Sequence, residues 1–279
     1  MYSLDLDLVR EIENSIAACG RDSAISSRKL KPETCSQFCY AELCGGTAVF
    51  TGVGSPLTQT IGAGLNGAVS ADELDELEHF YFSRGAACAL ELSPYIDSTL
   101  LELLRHRPYH LTEFSNVLLR GLAGDEAISD APSTGFTVRS IRPGEERLYT
   151  ETISKGFADE FPVTEELLDV CESFARLPGC LSFLAEVDSV PAGGGSVGRH
   201  GRVGGLFGAS TLPQFRRRGI QSKLLEVRLH WLQEQGCEYA YVVTHPATSS
   251  QRNMERSGFR ATYSRVKLTR DLPSAALCS

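Results

Sequence analysis

Three consecutive arginines, Arg216, Arg217 and Arg218, precede Gly219 and a helical pattern that runs from residue 220 to residue 235. The first turn of a helix presents unpaired backbone N–H groups and the positive end of the helix dipole. A glycine lets the backbone approach an anion closely, and guanidinium groups add charge-assisted hydrogen bonds. The spacing therefore predicts a phosphate-binding loop, and the alternative is a solvated basic loop.

Two common phosphate-binding motifs do not describe this loop. A Walker loop requires G-x-x-x-x-G-K-[ST], and a dinucleotide-binding turn requires G-x-G-x-x-G. Neither spacing occurs around Gly219. If the loop binds a phosphate, it does so in a different structural context.

The elements that must position this loop follow from apolar periodicity. A helical period recurs after Gly219, whereas alternating apolar residues before and after that helix indicate strands. The glycine-rich segment 191–208 also alternates and predicts a tight hairpin. The predicted series is strand 136–141, helices 145–157 and 164–176, strands 181–187, 192–198 and 202–211, helix 220–235, strand 238–244, helix 249–256 and strand 259–268.

The first half of the chain repeats part of this series. A predicted helix at 70–84, Gly85 and a strand at 88–92 parallel the helix at 220–235, Gly236 and the strand at 238–244. Residues 110–122 align with residues 260–272 in the same way. Two similar units are therefore expected, and the alternative is chance similarity between short apolar strands.

Residues 216–221 (RRRGIQ) resemble motif A of the GCN5-related N-acetyltransferases, written [QR]-x-x-G-x-[GA], with Gln221 at the position of Gly or Ala. The order of elements over residues 136–270 also matches the second half of that family. Residues 59–64 (QTIGAG) satisfy the same short pattern. They lead into a turn, and a capping box at Ser70 and Glu73 starts the next helix, so we predict a strand over 59–65 without a cofactor loop.

The resemblance implies an α/β (α+β) acyl-CoA N-acyltransferase fold in two tandem copies, each with a mixed central sheet flanked by helices. Acetyl-CoA, the implied cosubstrate, lies in a V-shaped gap between strands 202–211 and 238–244. Backbone groups at the end of the first strand pair with pantetheine, and the arginine loop binds the pyrophosphate. The implied cofactor-binding residues are Ser210, Thr211, Leu212, Arg216, Arg217, Arg218, Gly219, Ile220, Gln221, Ser222 and Asn253, with Ser249 as a further candidate or a helix cap.

The resemblance also implies direct attack of an amine on the thioester, which needs a base for the ammonium and an acid for the thiolate. The family often has a tyrosine four residues before a Gly-Phe pair, where this chain has Met254. The candidate acids are Tyr241 and Tyr263, with Tyr239 as a third, and the candidate bases are His245 and Glu160, with Glu186 as a third. The alternatives are core tyrosines, a turn-capping His245, a solvated Glu160 and deprotonation through water.

These inferences divide the chain into four parts. We expect a degenerate copy without the pyrophosphate loop at 1–121, a linker at 122–134, a catalytic domain at 135–272 and a tail at 273–279. The predicted function is transfer of an acetyl group from acetyl-CoA to the primary amine of a small molecule. A non-catalytic acyl-CoA-binding module is the alternative, because Met254 replaces the expected tyrosine.

Composition excludes several other classes. The chain has 279 residues and a net charge of −8, which disfavours nucleic-acid binding through three arginines. Its nine cysteines contain no C-x-x-C pair, which favours reduced thiols without a metal site. No apolar run is long enough to span a membrane, and the first residues lack the pattern of a secretory signal. We therefore expect a cytoplasmic protein, either a monomer or a homodimer.

Overall fold

The computed structural model describes residues 5–123, 135–157 and 163–273. Glu160, most of the predicted linker and almost all of the predicted tail lie outside these ranges. The helices are α1 (Leu6–Leu30), α2 (Pro32–Cys35), α3 (Ala71–Phe82), α4 (Ser98–Arg105), α5 (Glu146–Gly156), α6 (Glu165–Phe174), α7 (Ile220–Glu234) and α8 (Ser249–Arg256). The strands are β1 (Cys39–Leu43), β2 (Gly46–Phe50), β3 (Gln59–Ile61), β4 (Cys88–Leu92), β5 (His110–Gly121), β6 (Thr137–Ser140), β7 (Cys180–Val187), β8 (Val190–His200), β9 (Val203–Thr211), β10 (Tyr239–Thr244) and β11 (Arg260–Arg270).

The chain forms two compact units. The first contains Met1–Leu118 and Val243–Ser279, and the second contains Leu119–Val242. Strands of the first unit follow the order β1-β2-β3-β4-β11-β5, and those of the second follow β10-β9-β8-β7-β6. Both units are mixed sheets with helices, as the sequence predicts.

The predicted duplication is confirmed in the order and pairing of the elements. In the first copy, β1, β2 and β3 form an antiparallel meander, and α3 connects β3 to its parallel neighbour β4. In the second copy, β7, β8 and β9 form the same meander, and α7 connects β9 to its parallel neighbour β10. A helix and a final strand follow in each copy.

The final strand of the second copy lies in the first compact unit. There, β11 pairs antiparallel with β4, from Val266 opposite Leu92 to Arg270 opposite Cys88. On its other side, Thr262 Oγ1 donates to the Val117 carbonyl of β5 at 2.8 Å. The boundaries of the compact units therefore differ from the domain boundaries expected at residues 121 and 135. The expected boundaries describe the repeated copies in the sequence, and they stay a prediction.

Likewise, the end of β5, the final strand of the first copy, lies in the second compact unit. The Leu122 N–H donates to the Glu238 carbonyl at 2.8 Å, at the start of β10. The last strand of each sequence copy thus forms hydrogen bonds outside its own copy. Alternation of apolar residues predicts these strands but does not select their partners.

Apolar periodicity accounts for the cores. In α3, Leu74, Leu77 and Tyr81 recur on one helical face and are fully buried against β4 and its neighbours. In the second unit, Tyr149 and Ile153 of α5 pack on Leu184 of β7. Complete burial of one such aliphatic side chain stabilises the fold by about 1.5–3 kcal/mol.

Most predicted element bounds agree with the structure within two residues, and two details differ. The strand expected over 59–65 ends at Ile61, because Gly62 and Gly64 have left-handed φ angles of 80° and 71°. Thr248, not Ser249, caps α8, and its side chain accepts from the Gln251 N–H. In the described ranges, no helix is long and apolar enough to cross a membrane.

Candidate functional site

The two central strands of the second unit separate after a short parallel ladder. Val203, Gly204 and Gly205 of β9 pair with the first three residues of β10. Across the described residues, no pair joins the strands beyond Gly205 and Tyr241. The V-shaped gap that the resemblance implies therefore begins at this point.

A bulge shapes the β9 side of the gap. Phe207 is opposite Ser196 of β8, whereas Ser210 is opposite Gly194, so Gly208 and Ala209 oppose one residue. Gly208 adopts a left-handed φ of 60°, which a glycine tolerates without steric cost. Bulges near active sites redirect the backbone.

The direction of the backbone amides after the bulge follows from a hydrogen bond to β8. The Leu212 N–H donates to the Ala192 carbonyl at 2.9 Å, so this predicted pantetheine partner is engaged with β8. Because backbone groups alternate in direction along a strand, the N–H groups of Ala209 and Thr211 point away from β8. These amides border the gap.

The gap ends at the N-terminus of α7. Gly219 occupies the N-cap position with a left-handed φ of 83°, no side chain caps the helix, and its first turn has no acidic residue. Ile220 is buried and anchors the turn. Arg217 and Arg218 are exposed beside it, and the Arg218 guanidinium lies 5.5 Å from the Phe215 ring centroid. The arrangement provides amides and positive charge for an anion.

Two residues of the predicted pyrophosphate loop bind the end of β9. Arg216 Nε donates to the Thr211 carbonyl at 3.2 Å, and Arg216 Nη2 donates to the Gly156 carbonyl at 3.1 Å. Gln221 Nε2 donates to Thr211 Oγ1 at 2.9 Å. The glutamine that departs from motif A therefore joins the first turn of α7 to β9.

The remaining cofactor candidates differ in exposure. Ser210 is buried, and its Oγ donates to the Ile153 carbonyl at 2.7 Å. Ser222 is exposed on the first turn of α7. Asn253 is exposed on α8 in the first unit, where its Oδ1 accepts from Arg256 Nη1 at 3.1 Å.

Tyr241 is the buried tyrosine at the fork between β9 and β10. Its hydroxyl oxygen lies 2.6 Å from the position that a Cβ on Gly205 would occupy. A side chain at residue 205 would therefore displace the Tyr241 ring. Tyr239 lies at the start of the same strand, with the Arg202 guanidinium 5.8 Å from its ring centroid.

Glu186 takes part in an ion-pair network. Arg139 binds both Glu186 carboxylate oxygens at 2.8 and 3.0 Å, and it also binds Glu145. These bonds join β6, β7 and the start of α5. The carboxylate of Glu186, a candidate base, is therefore bound to Arg139 in a structural ion pair.

The other two catalytic candidates lie in the first unit. His245 follows β10, and its Nδ1 is 3.7 Å from Oε1 of Glu113, a carboxylate on β5 that sequence reasoning missed. Tyr263 is buried, and its hydroxyl donates to Oε1 of buried Glu13 at 2.8 Å. No local pattern could have identified Glu113, because the pair depends on distant parts of the chain.

The corresponding helix start in the first copy is closed by its own side chains. The Ser70 side chain accepts from the Glu73 N–H, and the Glu73 carboxylate accepts from the Ser70 N–H at 2.7 Å, which confirms the predicted capping box. These bonds lower the pKa of Glu73. The carboxylates of Asp72 and Glu73 occupy the first turn of α3, where a pyrophosphate would meet like charge.

Comparison with known proteins supports the same reading of the second copy. A family model described as "Acetyltransferase (GNAT) family" matches residues 146–259, which include α5 to α8 and the arginine loop. Comparison with curated protein sequences gives no match.

Several solved structures share the fold. A GCN5-related N-acetyltransferase from Kribbella flavida has a TM-score of 0.63 and 16% identity over 92% of this chain and 97% of that chain. One from Sphaerobacter thermophilus has a TM-score of 0.53 and 19% identity over 72% and 65%. A tandem GNAT protein from the clavulanic acid biosynthesis pathway has a TM-score of 0.53 and 14% identity over 68% and 65%.

These identities show the fold, and the family model adds the sequence evidence for the part of the chain that carries the gap and the arginine loop. Residues 146–259 therefore match the GNAT acetyltransferase family, and the chain as a whole shares the fold of solved GNAT structures.

Proposed function

We propose that this protein transfers an acetyl group from acetyl-CoA to the primary amine of a small molecule. The observation that carries the proposal is the β9–β10 gap, which ends at the uncapped, arginine-flanked N-terminus of α7. Acyl transfer is the activity of the family that residues 146–259 match.

We propose that each part of acetyl-CoA is bound by a separate group of the described residues. Arg217, Arg218 and the first-turn amides of α7 would hold the pyrophosphate. The backbone amides of Ala209 and Thr211 would pair with pantetheine and polarise the thioester carbonyl. Gln221 and Arg216 hold this end of β9 against α7 and α5, so the amides are fixed before the reaction.

The proposed reaction forms one bond and breaks another at the carbonyl carbon, removes two protons from the nitrogen and adds one to the sulfur. The amine nitrogen forms a C–N bond and the C–S bond to CoA breaks, with the thiolate as leaving group. The substrate ammonium loses one proton to a base before the attack, and the thiolate gains one from an acid as it leaves. The nitrogen loses a second proton when the tetrahedral intermediate collapses to the amide, and this proton restores the acid. We propose His245, paired with Glu113, as the base and Tyr241 as the acid.

The negative charge of helices α5 and α6 favours a cationic acceptor substrate. Arg147 contacts the carboxylates of Glu151, Glu165, Asp169 and Glu172, and Arg176 contacts Glu146 and Glu172. Five carboxylates thus surround two guanidinium groups. Excess negative charge raises the local concentration of a cationic amine, which supports an ammonium substrate.

We propose that the first copy binds no acetyl-CoA and has a structural role. The support is the Ser70–Glu73 capping box, which occupies the helix terminus that corresponds to the open one of α7. A cytoplasmic location and a monomeric or homodimeric state belong to the same proposal and depend on composition alone.

The test uses the full chain with acetyl-CoA and a panel of small amines. Because the protein has nine cysteines, CoA and the N-acetyl product are measured by chromatography and mass spectrometry instead of a thiol reagent. Gly219→Glu puts a carboxylate at the α7 N-terminus. Gly236→Glu is the matched control, because Gly236 also has a positive φ and open space around it, at the other end of the same helix.

Amine-dependent CoA release that disappears in Gly219→Glu and persists in Gly236→Glu supports the enzyme. Tight acetyl-CoA binding without turnover on any amine would favour the non-catalytic acyl-CoA-binding module. Met254, where the family often has a tyrosine, is the feature that favours this second candidate.

A further inference from the structure

Arg228 is a buried cation in the middle of α7. Its side chain lies on the same helical face as Leu224, Leu225 and Leu232, and the residue is 2% exposed. Complete burial is rare for an arginine unless it is paired with a carboxylate. In the described part of the chain, no carboxylate forms an ion pair with Arg228.

Backbone carbonyls are the hydrogen-bond partners of this guanidinium. Arg228 Nε donates to the Leu224 carbonyl at 2.8 Å, and Nη1 donates to the Ser196 carbonyl at 3.3 Å. Removal from water lowers the pKa of Arg228 to about 10. The side chain therefore stays charged at neutral pH, and its charge is not neutralised by an acidic partner.

The guanidinium lies directly behind the bulge of β9. Gly195 is the single residue of β8 opposite Gly208 and Ala209. A Cβ on Gly195 would be 3.0 Å from the guanidinium carbon of Arg228 and 3.2 Å from the Cβ of Ala209. The absence of a side chain at Gly195 thus allows the charge to approach the bulge.

The other face of the same strand carries neutral hydroxyl groups. Tyr149 Oη and Ser182 Oγ each share a hydrogen bond with Ser196 Oγ, at 2.6 and 2.7 Å. Burial raises the pKa of Tyr149 to about 12, so this hydroxyl is protonated at neutral pH. These groups orient Ser196 without cancelling the charge of Arg228.

A purely structural role does not explain this choice of residue. Replacing a buried ionic side chain with an apolar one often leaves a protein equally stable or makes it more stable, because a buried charge must be desolvated. The α7 face is otherwise aliphatic, so leucine or methionine would match its neighbours. A fixed positive charge has a use where negative charge develops in a water-poor site.

We propose that Arg228 is a positioning residue, which fixes the β9 bulge through the Ser196 carbonyl and stabilises negative charge on the thioester oxygen from behind the strand. The inference rests on the proposed function, since it places the thioester carbonyl at the amides that follow the bulge. It adds a source of electrostatic stabilisation beyond those amides.

The test measures the polarisation of bound acetyl-CoA and needs no acceptor amine. Full-length protein is mixed with acetyl-CoA that carries ¹³C in the acetyl carbonyl, and the infrared band of that carbonyl is recorded. Arg228→Met and Arg228→Gln remove the charge, and Gln keeps a donor for Ser196. Arg228→Lys keeps the charge, and Tyr149→Phe removes a neutral hydrogen bond under the same bulge.

We expect the wild-type and Arg228→Lys bands to lie at lower frequency than that of free acetyl-CoA. The two uncharged variants should lose most of this displacement while their affinity for acetyl-CoA stays within about twofold. With an accepted amine, they should lose at least about tenfold in kcat with little change in KM. Tyr149→Phe should keep the displaced band.

Two results would overturn the inference. One is an identical carbonyl band in wild type and whichever uncharged variant folds. The other is a wild-type protein that does not bind acetyl-CoA, which would contradict the proposed function as well. The first result, obtained with a displaced wild-type band, refutes the role of Arg228 and leaves the proposed function intact.

Discussion

Nη2 of Arg216 donates a hydrogen bond to the carbonyl oxygen of Gly156, the last residue of α5, over 3.1 Å. A cation at a helix C-terminus also interacts favourably with the helix dipole. All three arginines are exposed, but the Arg216 guanidinium is bound to the carbonyls of Thr211 and Gly156, whereas Arg217 and Arg218 lie beside the N-terminus of α7. The three arginines have different environments within one motif.

This difference predicts separate effects of two substitutions. Arg216→Ala removes hydrogen bonds to two carbonyls and should lower the free energy of unfolding by about 1–2 kcal/mol, with a weaker affinity for CoA. Arg217→Ala should raise the Kd for CoA about tenfold through a lost charge-assisted bond and leave stability unchanged. Urea unfolding and calorimetric titration measure the two quantities. Equal stability loss in both variants would contradict the division of roles.

The closed start of α3 predicts one CoA site per chain. Calorimetric titration of the wild type should give a stoichiometry of one, because the Glu73 carboxylate occupies the helix terminus of the first copy. Ser70→Ala should lower the free energy of unfolding by about 1 kcal/mol, as loss of an N-cap does, without changing that stoichiometry. Two equivalent sites in the wild type would show that the first copy binds CoA.

Local patterns in the sequence predict the elements of this fold well. Strand β4 and helix α8 have the predicted bounds, because apolar periodicity and the residues next to each element act locally. The pairing of β11 with β4 could not be predicted, since its alternation suits any neighbouring strand. The contact of His245 with Glu113 depends on that tertiary arrangement as well.

The candidate site shows the same limit. Motif A identifies the arginine loop, but not that Arg216 and Gln221 bind the end of β9. The sequence does contain one overlooked signal, since Arg228 interrupts the aliphatic face of α7. Its importance becomes visible only when β8 and the bulge of β9 lie against it.

The two tyrosine candidates predict opposite consequences of removing a hydroxyl. Tyr241→Phe should lower kcat by about 10- to 100-fold, as loss of a general acid does, with little effect on stability. Tyr263→Phe should remove the hydroxyl that donates to buried Glu13, which keeps the contact of its Oε1 with Arg265 Nε at 3.5 Å. The free energy of unfolding should fall by about 1–3 kcal/mol, with kcat unchanged. Steady-state kinetics and thermal unfolding decide between them. A larger loss of kcat in Tyr263→Phe would reverse the assignment.

The ion pair between Arg139 and Glu145 predicts a dependence of stability on acid pH. Hydrogen bonds from Arg139 lower the pKa of Glu145 from 4.5 to about 2. A carboxylate whose pKa is lower in the folded state stabilises the protein above the unfolded pKa, and this contribution disappears as the pH falls from about 4.5 to 2. Urea unfolding between pH 2 and 6 should therefore show a shallower pH dependence in Glu145→Gln than in wild type. Glu102→Gln, in an exposed pair with Arg105, is the control and should keep the wild-type slope.

The contact between His245 and Glu113 predicts how activity responds to removal of the proposed base. His245→Gln should lower kcat/KM by about 10²- to 10⁴-fold, the usual contribution of general-base catalysis. Glu113→Gln should give a smaller loss, since it removes the carboxylate that faces the ring and keeps the imidazole.

His230 provides a control, because it forms an exposed contact with Glu234 on α7, and His230→Gln should retain full activity. Wild-type kcat/KM in His245→Gln would exclude this histidine as the base and favour proton transfer through water.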